Sequence, residues 1–353
     1  MMEKAKIILT KMYEVFKRSP QLHFVFVGIV LIIIGRIVVS GSSHTNINIL
    51  AEVVIYAVVA LGLNLLLGFS GLVSLSTAAF MGITTNSMYV FMVDYEISFL
   101  MAALMAMIIC GLLGLIVGLL SLKMEGIYLG IATLFIGHIT IRVIEAFDIF
   151  ARGNLRRFPQ ITYFFDFQRS ILIRDQRIDL YTLVVIAMVL MFIVIYNIFK
   201  SPTGRSLMAI SRSQHAALAM GISVRKYRLL AFVIATTVAS FGGVLHVAYF
   251  QTTGASGKWG LGLSLIILSV VVIGGMKSFH GMLLGSFIII GIPALYLRDI
   301  PFLSGFDDIL TGLLIVLVIL FYPYGAMQIG YDLKKLYYKA KAKYKARVVK
   351  RDE

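Results

Sequence analysis

Charge is scarce in this chain of 353 residues. Asp, Glu, Lys and Arg make up 14% of it, against about 25% in soluble domains. Hydrophobic residues make up 59%, with a mean hydropathy of +0.93. That composition excludes a water-soluble enzyme, and several apolar blocks pass the roughly 18-residue length that spans a bilayer. Cysteine is scarcer still: Cys110 stands alone in an apolar block, so no intrachain disulfide can form. Nucleotide and metal motifs are missing too. The nearest approach to a phosphate-cradling G-x-x-x-x-G-K-[ST] is Gly254-Ala-Ser-Gly257-Lys258, which has the wrong spacing and no final hydroxyl. There is no H-E-x-x-H, no Cys/His ligand cluster and no close carboxylate pair within a span. No catalytic residue, metal site or cofactor is therefore expected on this chain. Carriers driven by ion gradients usually place ionisable groups inside their spans. Here Glu52, Asp94, Glu96, Asp307 and Asp308 read as outer span ends, so the energy for any transport has to come from elsewhere.

What is present is a series of apolar blocks near 22–39, 48–68, 71–92, 99–121, 126–147, 180–199, 229–250, 261–277, 280–297 and 308–323. They predict an all-α, polytopic membrane protein of about ten transmembrane helices. The second and third blocks nearly fuse at Gly68-Phe-Ser-Gly71, where close glycines predict a broken or re-entrant segment. Irregular backbone survives at membrane depth only where protein or a water-filled cavity satisfies it, so that break is a functional lead. The 32 Lys and Arg orient the chain. With both termini cytoplasmic, 22 of them fall inside and the inside nets +16 against −1 outside, as the positive-inside rule demands. A nucleic-acid surface would need basic residues and stacking aromatics gathered on one soluble face, which the sequence lacks. Residues 1–20 read as an uncleaved, interfacial amphipathic segment, 21–327 as the transmembrane domain and 328–353 as a basic cytoplasmic tail. Within the domain, 149–179 reads as a mixed-charge extracytoplasmic loop and 200–228 as a cytoplasmic loop.

That cytoplasmic loop is the most informative stretch. Ser213 is placed to N-cap a short helix that Gly221 ends, and Ser223 to cap the next helix. The resulting knuckle offers Ala216, Ala217 and Met220 to a groove on another protein, or packs on its own spans as a structural loop. The string Gly204-Arg205-Ser-Leu-Met-Ala-Ile210, then Ala216-Ala217, Met220-Gly221-Ile222 and Tyr227-Arg-Leu-Leu-Ala-Phe232, resembles the coupling loop of the branched-chain amino acid permease family of ATP-binding cassette (ABC) transporters. Blocks beginning at Ala60, Gly71, Gly126 and Val271 follow in the family's order, so the resemblance covers roughly residues 50–325.

The resemblance implies the membrane subunit of an importer for a small polar solute in the plasma membrane. A second permease subunit would complete the pathway as a homo- or heterodimer, ABC ATPase subunits carrying ATP and magnesium would grip the loop, and an extracytoplasmic solute-binding protein would deliver the solute. Gly204, Arg205, Ala216, Ala217, Met220 and Gly221 are then the coupling residues. The sequence departs from the family pattern at Thr77, at Ile83-Thr-Thr-Asn86, at Ala151-Arg-Gly-Asn154 and at Ser211-Arg212-Ser213. These departures keep a sugar, nucleoside or urea-like amide open as solute, with a gradient-driven carrier or a membrane enzyme as rivals from other classes.

Small residues fall in stripes: Gly126, Gly130, Thr133, Gly137 and Thr140; Gly111, Gly114, Gly118 and Ser121; Ala235, Ala239 and Gly243. They predict close helix packing or a pathway wall. Asn64, Ser74, Ser76, Thr77, Thr84 and Thr133 are the candidate pathway residues near the break. His138, Arg142 and Glu145 share a face at one span end, Lys258 and Trp259 read as an interface anchor, and Gly274-Gly-Met-Lys-Ser-Phe-His-Gly281 loosely echoes the first break.

Overall fold

A computed structural model describes residues 20–41, 44–124, 126–147, 154–158 and 176–297, together with 312, 313 and 316. The N-terminal amphipathic stretch, most of the 149–179 loop, nearly all of the 308–323 block and the basic tail lie outside the described residues. Eleven α-helices are described: α1 Pro20–Gly41, α2 His44–Asn64, α3 Thr77–Tyr89, α4 Phe99–Ser121, α5 Ile127–Ala146, α6 Gln176–Lys200, α7 Pro202–Arg212, α8 Gln214–Ala219, α9 Val224–Phe250, α10 Leu261–Gly274 and α11 Phe279–Ser286. Wider π-type turns extend α2 through Leu65–Ser70, α3 through Val90–Asp94, and α11 through Phe287–Gly291 and Pro293–Leu297. Among the described residues the only β-type pairing is an isolated antiparallel bridge between Arg157 and Thr252. Among the described residues six helices are long and apolar enough to cross a membrane, while α10 and α11 with its extension are shorter.

The core forms around α2 and α9. Ile47, Val54, Ile55, Val58 and Leu61 of α2 are buried, and α9 packs against α2, α3 and α4. Glycines set those approaches. A Cβ on Gly62 would meet Val238 at 3.0 Å, one on Gly118 would meet Phe232 at 3.2 Å, and Gly111 faces Thr237 at 3.4 Å. The second stripe therefore packs closely on the face of α9 that carries Phe232, Thr236 and Thr237, while Gly243 of the third packs on Met81 and Thr84 of α3. With no hydrophobic drive between lipid-bathed helices, such approach of backbones is what supplies the attraction. The opposite face of α4 leaves Leu104, Ile108, Leu112, Leu115 and Leu119 exposed at helical spacing, as a lipid-bathed helix requires.

The first stripe has a different partner. Residues 71–76 form no helix, and they lie along α5: a Cβ on Gly130 would stand 3.5 Å from Val73 and one on Gly137 3.4 Å from the Cα of Ser76. The glycines of α5 make a trough for extended backbone. The third expected span, begun at 71 in the sequence reading, becomes helical only at Thr77. The chain also stays helical through Gly68, and it turns at Gly71, whose φ of 71° lies in the left-handed region that glycine enters freely.

Candidate functional site

The knuckle is α7 and α8. Pro202 starts α7 at a position where its missing N–H costs nothing. Ser213 ends α7 and caps α8, accepting from the Ala216 N–H at 3.3 Å. The stop is a Schellman turn: the Gly221 N–H donates to the Leu218 carbonyl at 2.9 Å and the Ile222 N–H to the Ala217 carbonyl at 3.0 Å, with Gly221 at φ 78°. Ser223 precedes α9 but makes no side-chain cap bond, contrary to expectation.

The burial pattern divides the predicted coupling residues. Ala217 is only 3% exposed, so it is turned toward the protein's own interior. Its assignment to the docking surface is corrected to the inner face of α8. The outward surface comprises Ala216, Met220, which is 82% exposed, and Leu218, which is 56% exposed. Leu218 escaped the sequence reading because its neighbours alone carried the resemblance. Gly204 is buried against the carbonyl of Phe199, where a side chain has no room, and Arg205 donates to the Lys200 carbonyl at 3.0 Å. Both residues fix how α7 leaves α6.

The knuckle touches the break. Gly71 faces the Ser211 hydroxyl oxygen of α7, 3.2 Å from where its Cβ would stand. Below Phe69, the rings of Phe199 and Phe279 join α6 and α11 to the same corner. A second break, Gly275 to Ser278, lies against the first. The Asn64 Oδ1 accepts from the Lys277 N–H at 2.9 Å and its Nδ2 donates to the Ser278 carbonyl at 3.3 Å. A Cβ on Gly68 would stand 3.0 Å from the Lys277 nitrogen. Gly275 at φ 95° and Lys277 at φ 69° turn the chain, and Ser278 caps α11 through the Gly281 N–H. Gly274 and Gly281 approach each other's carbonyls, which closes α10 and α11 into a tight hairpin. The two glycine-rich strings that echo one another in sequence are thus neighbours in space.

The candidate pathway residues are all buried. Asn64 clamps the two breaks as described. Thr133 accepts from the Leu75 N–H at 3.0 Å, the Ser74 and Ser76 hydroxyls are 3.2 Å apart, and the Thr84 hydroxyl donates to Ser240 at 2.7 Å, or to the Phe80 carbonyl at 2.8 Å. Thr77 opens α3 one residue after Ser76. The sequence reading missed Ser264, which accepts from the Ala78 N–H at 3.1 Å and ties the start of α3 to α10. No local pattern marks such a serine, because its partner lies 186 residues away. These bonds satisfy irregular backbone inside the bundle, as burial demands.

At the other end of α2 the structure revises one reading. Trp259 is fully buried, donating its indole N–H to the Thr253 carbonyl at 2.9 Å, so it is a core plug and not an interface anchor. Gly82 and Gly254 give its ring room. Glu52 is the ninth residue of α2 and accepts from Lys258 Nζ at 3.1 Å and from the Tyr56 hydroxyl at 3.0 Å. On α5, Arg142 and Glu145 form an exposed ion pair at 3.0 Å.

Comparison with known proteins accords with this geometry. A family model for the branched-chain amino acid transport system permease component matches residues 46–319. The high-affinity branched-chain amino acid transport system permease protein LivM of Escherichia coli K12 is 26% identical over 304 residues, covering 81% of this chain and 70% of its own. The probable ABC transporter permease protein YphD of the same organism is 33% identical over 141 residues, 37% of this chain and 42% of its own. The probable branched-chain amino acid transport permease protein LivH of Methanocaldococcus jannaschii is 29% identical over 148 residues, 39% of this chain and 44% of its own. No solved structure matches the chain significantly.

Proposed function

The chain belongs to the family of branched-chain amino acid transport system permease components, membrane transport subunits of ABC importers and not enzymes, and we propose that ATPase partners drive its pathway by gripping the α7–α8 knuckle. The observation that carries this reading is the continuous contact from knuckle to pathway. Ser211 of α7 meets Gly71 of the first break, and Asn64 and Gly68 join that break to the second. Packed interiors switch between discrete arrangements rather than bending smoothly, so a shift at the knuckle is delivered to both non-helical stretches. The solute of this reading is a branched-chain amino acid or a close analogue.

The finer arrangement is part of the same proposal. About ten spans, with the short α10 and the extended α11 among them and one more near 308–323, put both termini in the cytoplasm of the plasma membrane. The 71–76 stretch is the broken span. Asn64, Ser74, Ser76, Thr77, Thr84 and Thr133 form the polar wall on which the moving pathway is built. Gly204, Arg205 and Gly221 shape the knuckle, while Ala216, Leu218 and Met220 enter the ATPase groove. ATP and magnesium bind the ATPases, a second permease subunit completes the pathway, and a binding protein docks on the opposite face.

Uptake into inside-closed vesicles tests the reading. Vesicles holding this chain, its ATPases and its binding protein should accumulate labelled leucine only with ATP. Replacing Leu218 by Glu should abolish both uptake and ATPase co-purification. Uptake that persists without ATPase subunits would sink the coupling proposal, and competition by a sugar or nucleoside but not by valine would reassign the solute.

A further inference from the structure

The end of the bundle away from the knuckle carries a group of ionisable side chains that ATPase coupling does not use. Glu52 lies about two turns inside α2, and its Oε1 accepts from both Lys258 Nζ at 3.1 Å and the Tyr56 hydroxyl at 3.0 Å. The same ammonium is 3.3 Å from Nε2 of the buried His246. It stands 5.5 Å from the centroid of the Phe250 ring and 5.8 Å from that of Trp259. The loop bearing Lys258 is held firmly: Trp259 fills the slot left by Gly82 and Gly254, and the Thr253 carbonyl accepts from both Trp259 and Thr85. The pair itself is still reachable, with side-chain exposures of 35% for Lys258 and 29% for Glu52.

Three features set this group apart from a structural pin. Four polar side chains from α2, α9 and the 256–259 turn converge here, where a pin needs two. An ionisable residue within a long apolar helix, with its partner named, is the usual mark of a solute or ion path. The adjacent opposite charges of Lys258 and Glu52 also match the two charged groups of an α-amino acid, whose ammonium and carboxylate are both bonded to the α-carbon. A neutral sugar or amide offers neither charge.

We propose that Glu52 and Lys258 form an amino acid entry site, in which the solute's ammonium binds Glu52 and its carboxylate binds Lys258. The solute replaces their mutual ion pair. Tyr56 and His246 supply further hydrogen bonds, and Phe250 borders the site with apolar surface for the solute's side chain. This site rests on the amino acid importer reading given above and adds the residues that recognise the zwitterion.

The test uses the complete importer in proteoliposomes with labelled leucine, beside binding of leucine to the same complex without its binding protein. Two variants keep the charges balanced: the neutral pair Glu52→Gln with Lys258→Met, and the exchanged pair Glu52→Lys with Lys258→Glu. Both should retain the wild-type melting temperature within a few degrees, yet lower leucine uptake and direct binding by roughly tenfold or more, as loss of a desolvated charge contact does. Leucine, and not the neutral isovaleramide, should also protect Lys258 of the wild type from acylation by an amine-reactive ester. Normal uptake by either variant means a pin, and overturns the site while leaving the importer reading intact. Unprotected acylation of Lys258 overturns it equally. Failure of the wild-type complex to take up any amino acid overturns the importer reading, and the site with it.

Discussion

Asn64 illustrates how much a single amide decides. It satisfies a backbone N–H at Lys277 and a carbonyl at Ser278 across 213 and 214 residues of chain. Asn64→Ala removes both part-buried hydrogen bonds, and at about 1 kcal/mol for each the loss should total about 2 kcal/mol. Thermal unfolding of the purified protein in detergent measures it. Gly71 is a milder case. Its positive φ strains any L-residue, so Gly71→Ala is expected to cost about 1 kcal/mol from backbone alone, with a further drop in transport where the methyl crowds Ser211. Gly262, which has nothing within 4 Å, is the control: Gly262→Ala should stay within about 0.5 kcal/mol of wild type. The sequence drew notice to Asn64 and Gly71 through their place near close glycines, yet nothing in it named Lys277, Ser278 or Ser211 as their partners.

Two elements had legible chemistry but hidden orientation. The α8 helix announced itself by Ser213 and Gly221, and both perform as local capping rules require. Which face points outward was not legible, because six residues of Ala, Leu, His and Gln have no decisive periodicity. The structure separates Ala217 from Leu218 and Met220, and the separation makes a testable contrast. Ala217→Glu should bury an unpaired carboxylate against α7 and α9 and lower the melting temperature, while Met220→Glu should leave it unchanged and weaken ATPase co-purification. Equal melting temperatures would refute the orientation. The α5 stripe gives the second contrast. Gly130, Thr133 and Gly137 predict close packing by size alone, and their partner is the extended 73–76 stretch rather than a helix. Gly137→Leu should therefore displace Ser76 and abolish ATP-driven uptake, although a leucine at that position raises intrinsic helix propensity. Unimpaired uptake would show that the trough is not part of the moving path.

At the scale of the whole molecule the lone Cys110 becomes a tool. It is buried beside Thr84, so Cys110→Ala gives a background for single-cysteine mapping. A cysteine at Met220 should react only with reagents on the cytoplasmic side and one at Asn154 only with reagents outside; the reverse pattern would invert the proposed topology. Composition, block lengths and the basic residues in the inside loops sufficed for an all-helical membrane chain and its expected orientation, since a bilayer tests length and polarity one segment at a time. The local signals for breaks, caps and the ordered family blocks were equally available, because each acts over a few residues. The meeting of the two breaks, the seating of the knuckle on Gly71, the burial of Trp259 and the pairing of Glu52 with Lys258 were decided only by tertiary structure. Each joins groups far apart along the chain, and such contacts leave no periodicity or spacing in the sequence: their partners are chosen by how whole helices pack.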